Sequence, residues 1–262
     1  MNFEHDLALC PGLIWICILV PVILAALGNF LARKGIKADK RDPHHAIAYA
    51  TLGPVATIFG VLGAFIVATT WNEYMATKSN LNEESNALRD IYFNAQSFNP
   101  ELSNKIPNLC RNYRRAVTEN EWKIILKGKD DLVGDRLLTK LSDLYRTYEP
   151  TTDNERVYFK MSVQNLENLR KYREQRIQDS CTGLLPLLWI LFLLGASILI
   201  SVSLLMISSP SQTHGAMSIL LSAMIGIMTF AIISLDFPFM GFAKLSTMPF
   251  DMIPMGEKQA RG

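Results

Sequence analysis

From residue 180 to residue 235 the chain carries no Asp, Glu, Lys or Arg, and this run constrains the fold more than any other feature. It reads CTGLLPLLWILFLLGASILISVSLLMI, then a polar SSPSQTHG, then AMSILLSAMIGIMTFAIISL. A charge-free run of that length is not the core of a soluble domain. Roughly 20 apolar residues, at about 1.5 Å of rise each, cross a hydrocarbon layer of about 30 Å. Residues 184–207 and 216–235 each reach that length. Pro210, the serines beside it and Gly215 supply a turn between them. The expectation is a transmembrane helical hairpin whose second arm ends on Asp236.

Two more apolar runs precede it. The first, residues 7–32, follows an acidic leader (MNFEHD) and has its cations behind it. A secretory leader has the opposite arrangement, so a retained helix is expected. Pro21 is expected to kink that helix, which membrane helices tolerate. Residues 33–45 form a polar connection. His44 and His45 are adjacent, and neighbours on a helix point apart, so they are read as a solvated loop pair and not as metal ligands. The second run, residues 46–71, contains Gly53, Pro54, Gly60, Gly63 and Ala64. Small residues at 60, 63 and 64 share one helix face, which lets backbones approach closely in lipid, either within one subunit or against a neighbour. Trp71 and Tyr74 suit the aromatic belt at a membrane boundary.

The 49% hydrophobic share is ordinary and conceals this segregation, because residues 72–181 hold 18 Lys/Arg and 17 Asp/Glu. A net charge of +2 without a basic block argues against a nucleic-acid partner. The polar region reads as helical throughout. Leu81, Leu88, Ile91, Tyr92 and Ala95 keep helical spacing, so the second span is expected to continue outward as one helix to Asn99–Pro100. Ile106, Leu109, Tyr113 and Val117 mark a second helix, with Pro107 near its first turn. Leu137, Leu141, Leu144 and Tyr148 mark a third, with Gly128 and Gly134 between these two. Thr152-Asp-Asn-Glu155 is a capping box. The helix it opens runs through Tyr158, Met161, Asn165, Leu169, Tyr172 and Ile177 and is expected to feed the third span, with Gly183 and Pro186 at the membrane entry. The layout is therefore residues 1–71 with spans one and two, 72–181 as a helical extramembrane domain, 182–241 with spans three and four, and 242–262 as a tail.

Chemistry has little to stand on. The chain lacks GxGxxG, GxxxxGK[ST], GxSxG, HExxH and paired-Cys motifs. The expectation is no enzyme, no cofactor and no metal site, with Cys10, Cys17, Cys110 and Cys181 as free thiols. Carboxylates interspersed with cations look like a solvated helix surface, Glu83 and Glu84 included. Asp236 differs, because a carboxylate at the membrane end of an apolar helix is costly unless paired, capped or wet. It either hydrogen-bonds the turn made by Pro238 and Gly241, or serves gating or ion coordination.

The segment SLDFPFMGFAKLSTMPF resembles the LD-x-PF-x-G…S-x-x-PF signature of the bacterial bestrophin-like membrane proteins, carried by Asp236, Pro238, Phe239 and Gly241. FGVLGAFIVATTWNEY, Glu84…Ala87-Leu88…Ile91-Tyr92, Tyr113…Val117…Glu121-Trp122, Trp189, Phe192 and His214 fit the same family in order. The resemblance implies an oligomeric channel with four spans and a large cytoplasmic helical part. No acidic cluster follows Gly241, so the calcium gating of bestrophins is not implied here.

The fold class expected is all-α: an integral membrane protein with four transmembrane helices and the helical domain inserted between the second and third. The function expected is passive conduction of inorganic ions by a homo-oligomer in the lipid bilayer of the inner membrane. The alternative is a non-conducting scaffold or signal-transducing protein whose helical domain binds a partner. The second span is the expected wall of the passage, through Thr57, Phe59, Gly60, Leu62, Gly63, Phe65, Ile66, Thr69 and Thr70. Phe59, Val61, Leu62, Phe65 and Ile66 would form an apolar constriction that gates by dewetting. Flanking cations place the helical domain in the cytoplasm when that domain's own charges are counted, and outside when they are not. The cytoplasmic side is the reading adopted.

Overall fold

The computed structural model describes residues 12–35, 42–121, 132–181, 183–205, 212–240 and 242–255. Expectations that rest on Cys10, Trp122, Gly128, Pro210 and Gly241 lie outside these residues, as do the side chains of His44, His45, Cys181 and His214. The chain divides into two compact units. One comprises Met1–Tyr74 and Gly183–Ala243, the other Met75–Thr182 and Lys244–Gly262.

The first unit holds α1 (Leu13–Gly35), the N-terminal part of α2 (Asp42–Asn94), α6 (Pro186–Leu205) and α7 (Gln212–Asp236). His44 and His45, expected in a loop, fall in the first turn of α2. Among the described residues three helices are long and apolar enough to cross a membrane: Ala50–Ser97, Pro186–Leu204 and Gly215–Asp236. The apolar part of α1, Leu13–Gly28, is shorter. In hydrocarbon a helix satisfies its own backbone, and its exterior can stay apolar. Ile58, Leu187, Leu193 and Leu220 accordingly face outward.

Inside this unit Phe59 and Ile66 of α2 pack with Phe192, Ala196 and Leu199 of α6 and with Ile225 and Ile232 of α7. The Phe59 and Phe192 rings lie 5.4 Å apart. Gly195 makes room for this, because a Cβ there would stand 2.8 Å from the Phe59 ring. Gly226 permits a closer approach still. Its Cβ would lie 2.5 Å from the Cys17 carbonyl oxygen and 2.8 Å from Ile18 Cα, so α1 and α7 touch backbone to backbone. Ser218 and Ser222 precede Gly226 on that face and are buried. Small residues do here what apolar burial does in water: they bring helices within dispersion range.

The second unit holds the C-terminal part of α2, a 3₁₀ turn (Ala95–Ser97), α3 (Pro100–Arg115) with a π-helical continuation (Ala116–Glu121), α4 (Leu132–Thr147), α5 (Asp153–Cys181) and, in the tail, α8 (Met248–Asp251). The second span does continue outward as one helix, through Asn94. Asn99 then caps α3, its Oδ1 accepting from Leu102 N at 2.9 Å, and Pro100 takes the first helical position, where no N–H is needed. Pro107 therefore sits inside α3 and not near its start. The capping box forms: Glu155 N donates to Thr152 Oγ1 at 3.2 Å, and Thr152 N to Glu155 Oε2 at 3.4 Å.

Three expectations need correction. The buried stripe of α4 is Leu138, Leu141 and Tyr145: Leu141 is buried as expected, but Leu138 and Tyr145 are buried in place of their neighbours Leu137 and Leu144, and Tyr148 is only half-buried. Both stripes are apolar, and tertiary packing chose between them. On α5 the packed face is Ser162, Leu166, Leu169, Arg173 and Arg176, while Met161 is exposed. Nor does α5 run into the third span: it ends at Cys181, residues 183–185 are not helical, and Pro186 opens α6. The tail packs within this unit, with Phe250, Ile253 and Met255 buried. Ser85 Oγ donates to Pro249 O at 2.7 Å, and Arg111 and Arg114 Nη1 donate to Met255 O and Ile253 O, both at 3.3 Å.

Candidate functional site

Residues 50–72 of α2 are apolar almost all round, so their two faces are told apart only by what covers them. Phe59, Gly63, Ile66 and Thr70 turn inward onto their own bundle, Leu62 and Tyr74 frame that face less completely, and Trp71 is 51% exposed. A Cβ on Gly63 would meet Met228. Thr57, Gly60 and Phe65 face away from the bundle, and Thr69 lies between the two faces. The nine residues expected to share a wall are thus divided: four are packed, three are open, and Leu62 and Thr69 are intermediate.

The open face has its own order. Ala50, Gly53, Thr57, Gly60, Ala64 and Ala68 make a stripe of small residues, and Pro54, Ile58, Val61 and Phe65 make a bulkier one beside it. Ile58 is 70% exposed, Val61 66% and Phe65 60%. The threonine hydroxyls donate to their own helix: Thr57 to Gly53 O at 2.9 Å, Thr69 to Phe65 O at 3.0 Å and Thr70 to Ile66 O at 2.8 Å. Such back-bonding satisfies the donor within an apolar span and, at Thr57 and Thr69, leaves oxygen lone pairs on the surface.

Asp236 is buried at the end of α7. Its Oδ1 accepts from Leu184 N, in the non-helical link before α6. The carboxylate thus ties the end of α7 to the start of α6. Among the described residues it makes no hydrogen bond to the turn at Pro238. Gly183 leaves space for it, since a Cβ there would stand 3.3 Å from Asp236 Oδ2. Pro238 and Phe239 are buried beside it.

The second unit contains a charged core. Arg176 donates from Nε to Glu84 Oε2 at 2.7 Å and from Nη2 to Glu84 Oε1 at 3.1 Å and Glu121 Oε2 at 2.7 Å. Arg173 reaches Glu121 Oε1 from Nη2 at 2.8 Å and from Nε at 3.2 Å. Tyr113 OH donates to Glu84 Oε1 at 2.7 Å. Glu84, Tyr113 and Arg176 are 0% exposed, Glu121 2% and Arg173 5%. Gly134 makes the approach possible, because a Cβ there would stand 2.1 Å from Glu121 Oε1 and 2.9 Å from Arg173 Nε. Burial opposes the charge on Arg176, but the charge and hydrogen bonds of Glu84, with smaller help from Tyr113 and Glu121, more than offset it and hold the guanidinium protonated. Burial first, then the Glu84 charge, keeps the Tyr113 phenol far above its ordinary range, so it stays a donor.

This cluster joins α2, the π-helical segment and α5, and the expectation of a solvated surface missed it. Glu83 is exposed as expected, whereas Glu84 is not. A signal was available. Ser162, Leu166, Leu169, Arg173 and Arg176 are spaced four, three, four and three apart, so the two arginines continue the register of the apolar face. Among the described residues no three His, Cys, Asp or Glu side chains converge as a metal site would require.

The sequence model of the bestrophin-like domain matches residues 19–250. A solved point variant of a bacterial bestrophin homologue from Klebsiella pneumoniae is similar, with a TM-score of 0.69 and 10% identity over 90% of this chain and 96% of that one. A structure of a bacterial bestrophin homologue from the same organism, phased with zinc, gives 0.65 and 10% over 90% and 95%. At such identity the likeness shows the fold alone. No curated protein matches the chain. The domain match takes in α2, the charged core and the Asp236 tie together, and the chain belongs to the bestrophin-like family.

Proposed function

We propose that the chain spans the inner membrane four times, with α1 as the first span, assembles as a homo-oligomer and lets inorganic ions pass along the assembly axis. The observation that carries this reading is the open face of α2. An apolar span with its own bundle on one side presents ordered small and bulky stripes on the other, and it runs on as one helix into the polar region. Thr57, Gly60 and Ala64 suit contact with a neighbouring copy, because small residues let helices approach closely. Val61 and Phe65, with Ile58 beside them, are then the apolar constriction, closed by dewetting and opened by small outward movement. Phe59, Gly63, Ile66 and Thr70 support this wall from behind. The helical domain lies on the cytoplasmic side, the side the positive-inside rule favours when the cations next to the spans within that domain are counted.

The family membership supports this reading, and bestrophin homologues share the fold. The test is size in detergent followed by ion flux from liposomes. An oligomer that carries flux is the expected outcome. A monomer without flux overturns the reading, and an oligomer without flux supports the alternative of a non-conducting scaffold or signalling assembly.

A further inference from the structure

Outside the apolar span, α2 presents Asn82, Ser85, Asn86 and Arg89 along one face, spaced three, one and three apart. The tail lies against that face, and between them is a pocket of about 270 Å³ lined by these four residues and by Pro249, Met252 and Ile253. The two walls differ in chemistry. On the tail side Ile253 is buried and Met252 is 73% exposed, so the wall is apolar and partly open. On the α2 side the Ser85 hydroxyl is used, because it donates to Pro249 O and pins the tail in place. The other three polar side chains are not used in this way. Asn82 and Asn86 make no hydrogen bond among the described residues. Arg89 has only long contacts of 3.4 Å, from Nε and Nη2, to the half-exposed Asp90 next to it in sequence.

Two unpaired carboxamides and a guanidinium held only by long contacts to Asp90 therefore line one side of the pocket, opposite an apolar wall. Ligand sites combine apolar lining with a few placed polar groups, and guanidinium is the side chain best matched to a carboxylate. We propose that this pocket binds a small organic acid with one carboxylate and a compact apolar body. The carboxylate meets Arg89 with Asn86 or Asn82, and the apolar part lies on Met252 and Pro249. A pocket this small suits a metabolite and not a larger ligand. Because the ligand would touch both α2 and the tail, it acts as a second clasp beside the Ser85–Pro249 hydrogen bond and holds the tail on the helix.

The test uses the full chain in detergent, with phenylacetate as the probe and 2-phenylethanol as its uncharged counterpart. Binding is read by calorimetry and by hydrogen exchange of peptides covering residues 79–90 and 247–255. The expected result is saturable binding of phenylacetate, slowed exchange confined to those two segments, and weaker binding of the alcohol. Arg89→Gln, a surface change that leaves folding intact, is expected to weaken phenylacetate binding roughly tenfold, the loss of one charge-assisted hydrogen bond. Equal binding of both probes, unchanged affinity in Arg89→Gln, or no saturable binding of phenylacetate overturns the proposal. Neither readout involves conduction, so a chain that carries no ions leaves this result standing or falling by itself.

Discussion

Replacing Arg176 by Met tests whether the charged core of the helical unit is as dry as its geometry indicates. The side chain is 0% exposed and makes three charge-assisted hydrogen bonds, two to Glu84 and one to Glu121. Methionine fills much of the volume but leaves Glu84 with Tyr113 OH alone, while Glu121 keeps Arg173. Stranding one member of a buried ion pair costs about 3–5 kcal/mol. For a chain of this length that lowers the melting temperature by on the order of 10 °C. The assay is thermal unfolding of the purified protein in detergent, followed by intrinsic fluorescence and by size. A companion variant, Glu84→Gln with Arg176→Met, removes both charges and leaves the Glu121–Arg173 pair intact. It is expected to recover more than half of the loss, because the energetic penalty comes from the unpaired charge and not from the missing pair. If Arg176→Met melts within about 2 °C of the parent, a difference worth under about 1 kcal/mol at this size, the core is wet. If the double variant is no better than the single one, the charge argument fails.

Other consequences follow from the same geometry. Gly134→Ala places a methyl 2.1 Å from Glu121 Oε1, must part Glu121 from Arg173, and is expected to destabilise the helical unit by about 3 kcal/mol, measured by the same unfolding assay. Burial pushes the Cys110 thiol from 9.0 up to about 12. The folded value is the higher one, so this contribution is intact below pH 9, declines as pH rises and is gone by about pH 12, amounting to roughly 2 kcal/mol at pH 10.5. Cys110→Ala should flatten that part of the alkaline stability profile, although the buried Tyr113 phenol adds loss in the same direction. Asp236→Asn keeps an acceptor for Leu184 N and should fold nearly as well as the parent, whereas Asp236→Leu strands that buried donor at about 1–3 kcal/mol. Equal behaviour of the two variants in a detergent stability assay would remove Asp236 from its role as a tie between α6 and α7.

The features legible in the sequence were those written locally. The apolar spans, the long α2 and the Thr152–Glu155 cap each depend on residues near one another, and each needs only composition or spacing. What sequence reading missed depends on distant partners. Glu84 meets Arg176 across 92 residues and Asp236 meets Leu184 across 52. Alternating charges on a helix look alike whether water or a partner lies opposite, so in the sequence the buried pairs are indistinguishable from surface ones. The one-residue shift on α4 has a related cause, since Leu137 and Leu138 are both apolar and only the facing helix selects one. The candidate wall was legible as a segment and not as a face. A helix apolar all round has no polar side to orient it, and Phe59 and Phe65 are indistinguishable until one packs on Phe192 and the other does not.

The most direct test of the proposed conduction places a cysteine at Phe65 and, separately, at Phe59, and measures ion flux from liposomes before and after a charged, membrane-impermeant thiol reagent. The account predicts that the reagent changes flux through the Phe65→Cys protein and leaves the Phe59→Cys protein unaffected. Modification that alters flux through Phe59→Cys but spares Phe65→Cys would contradict it.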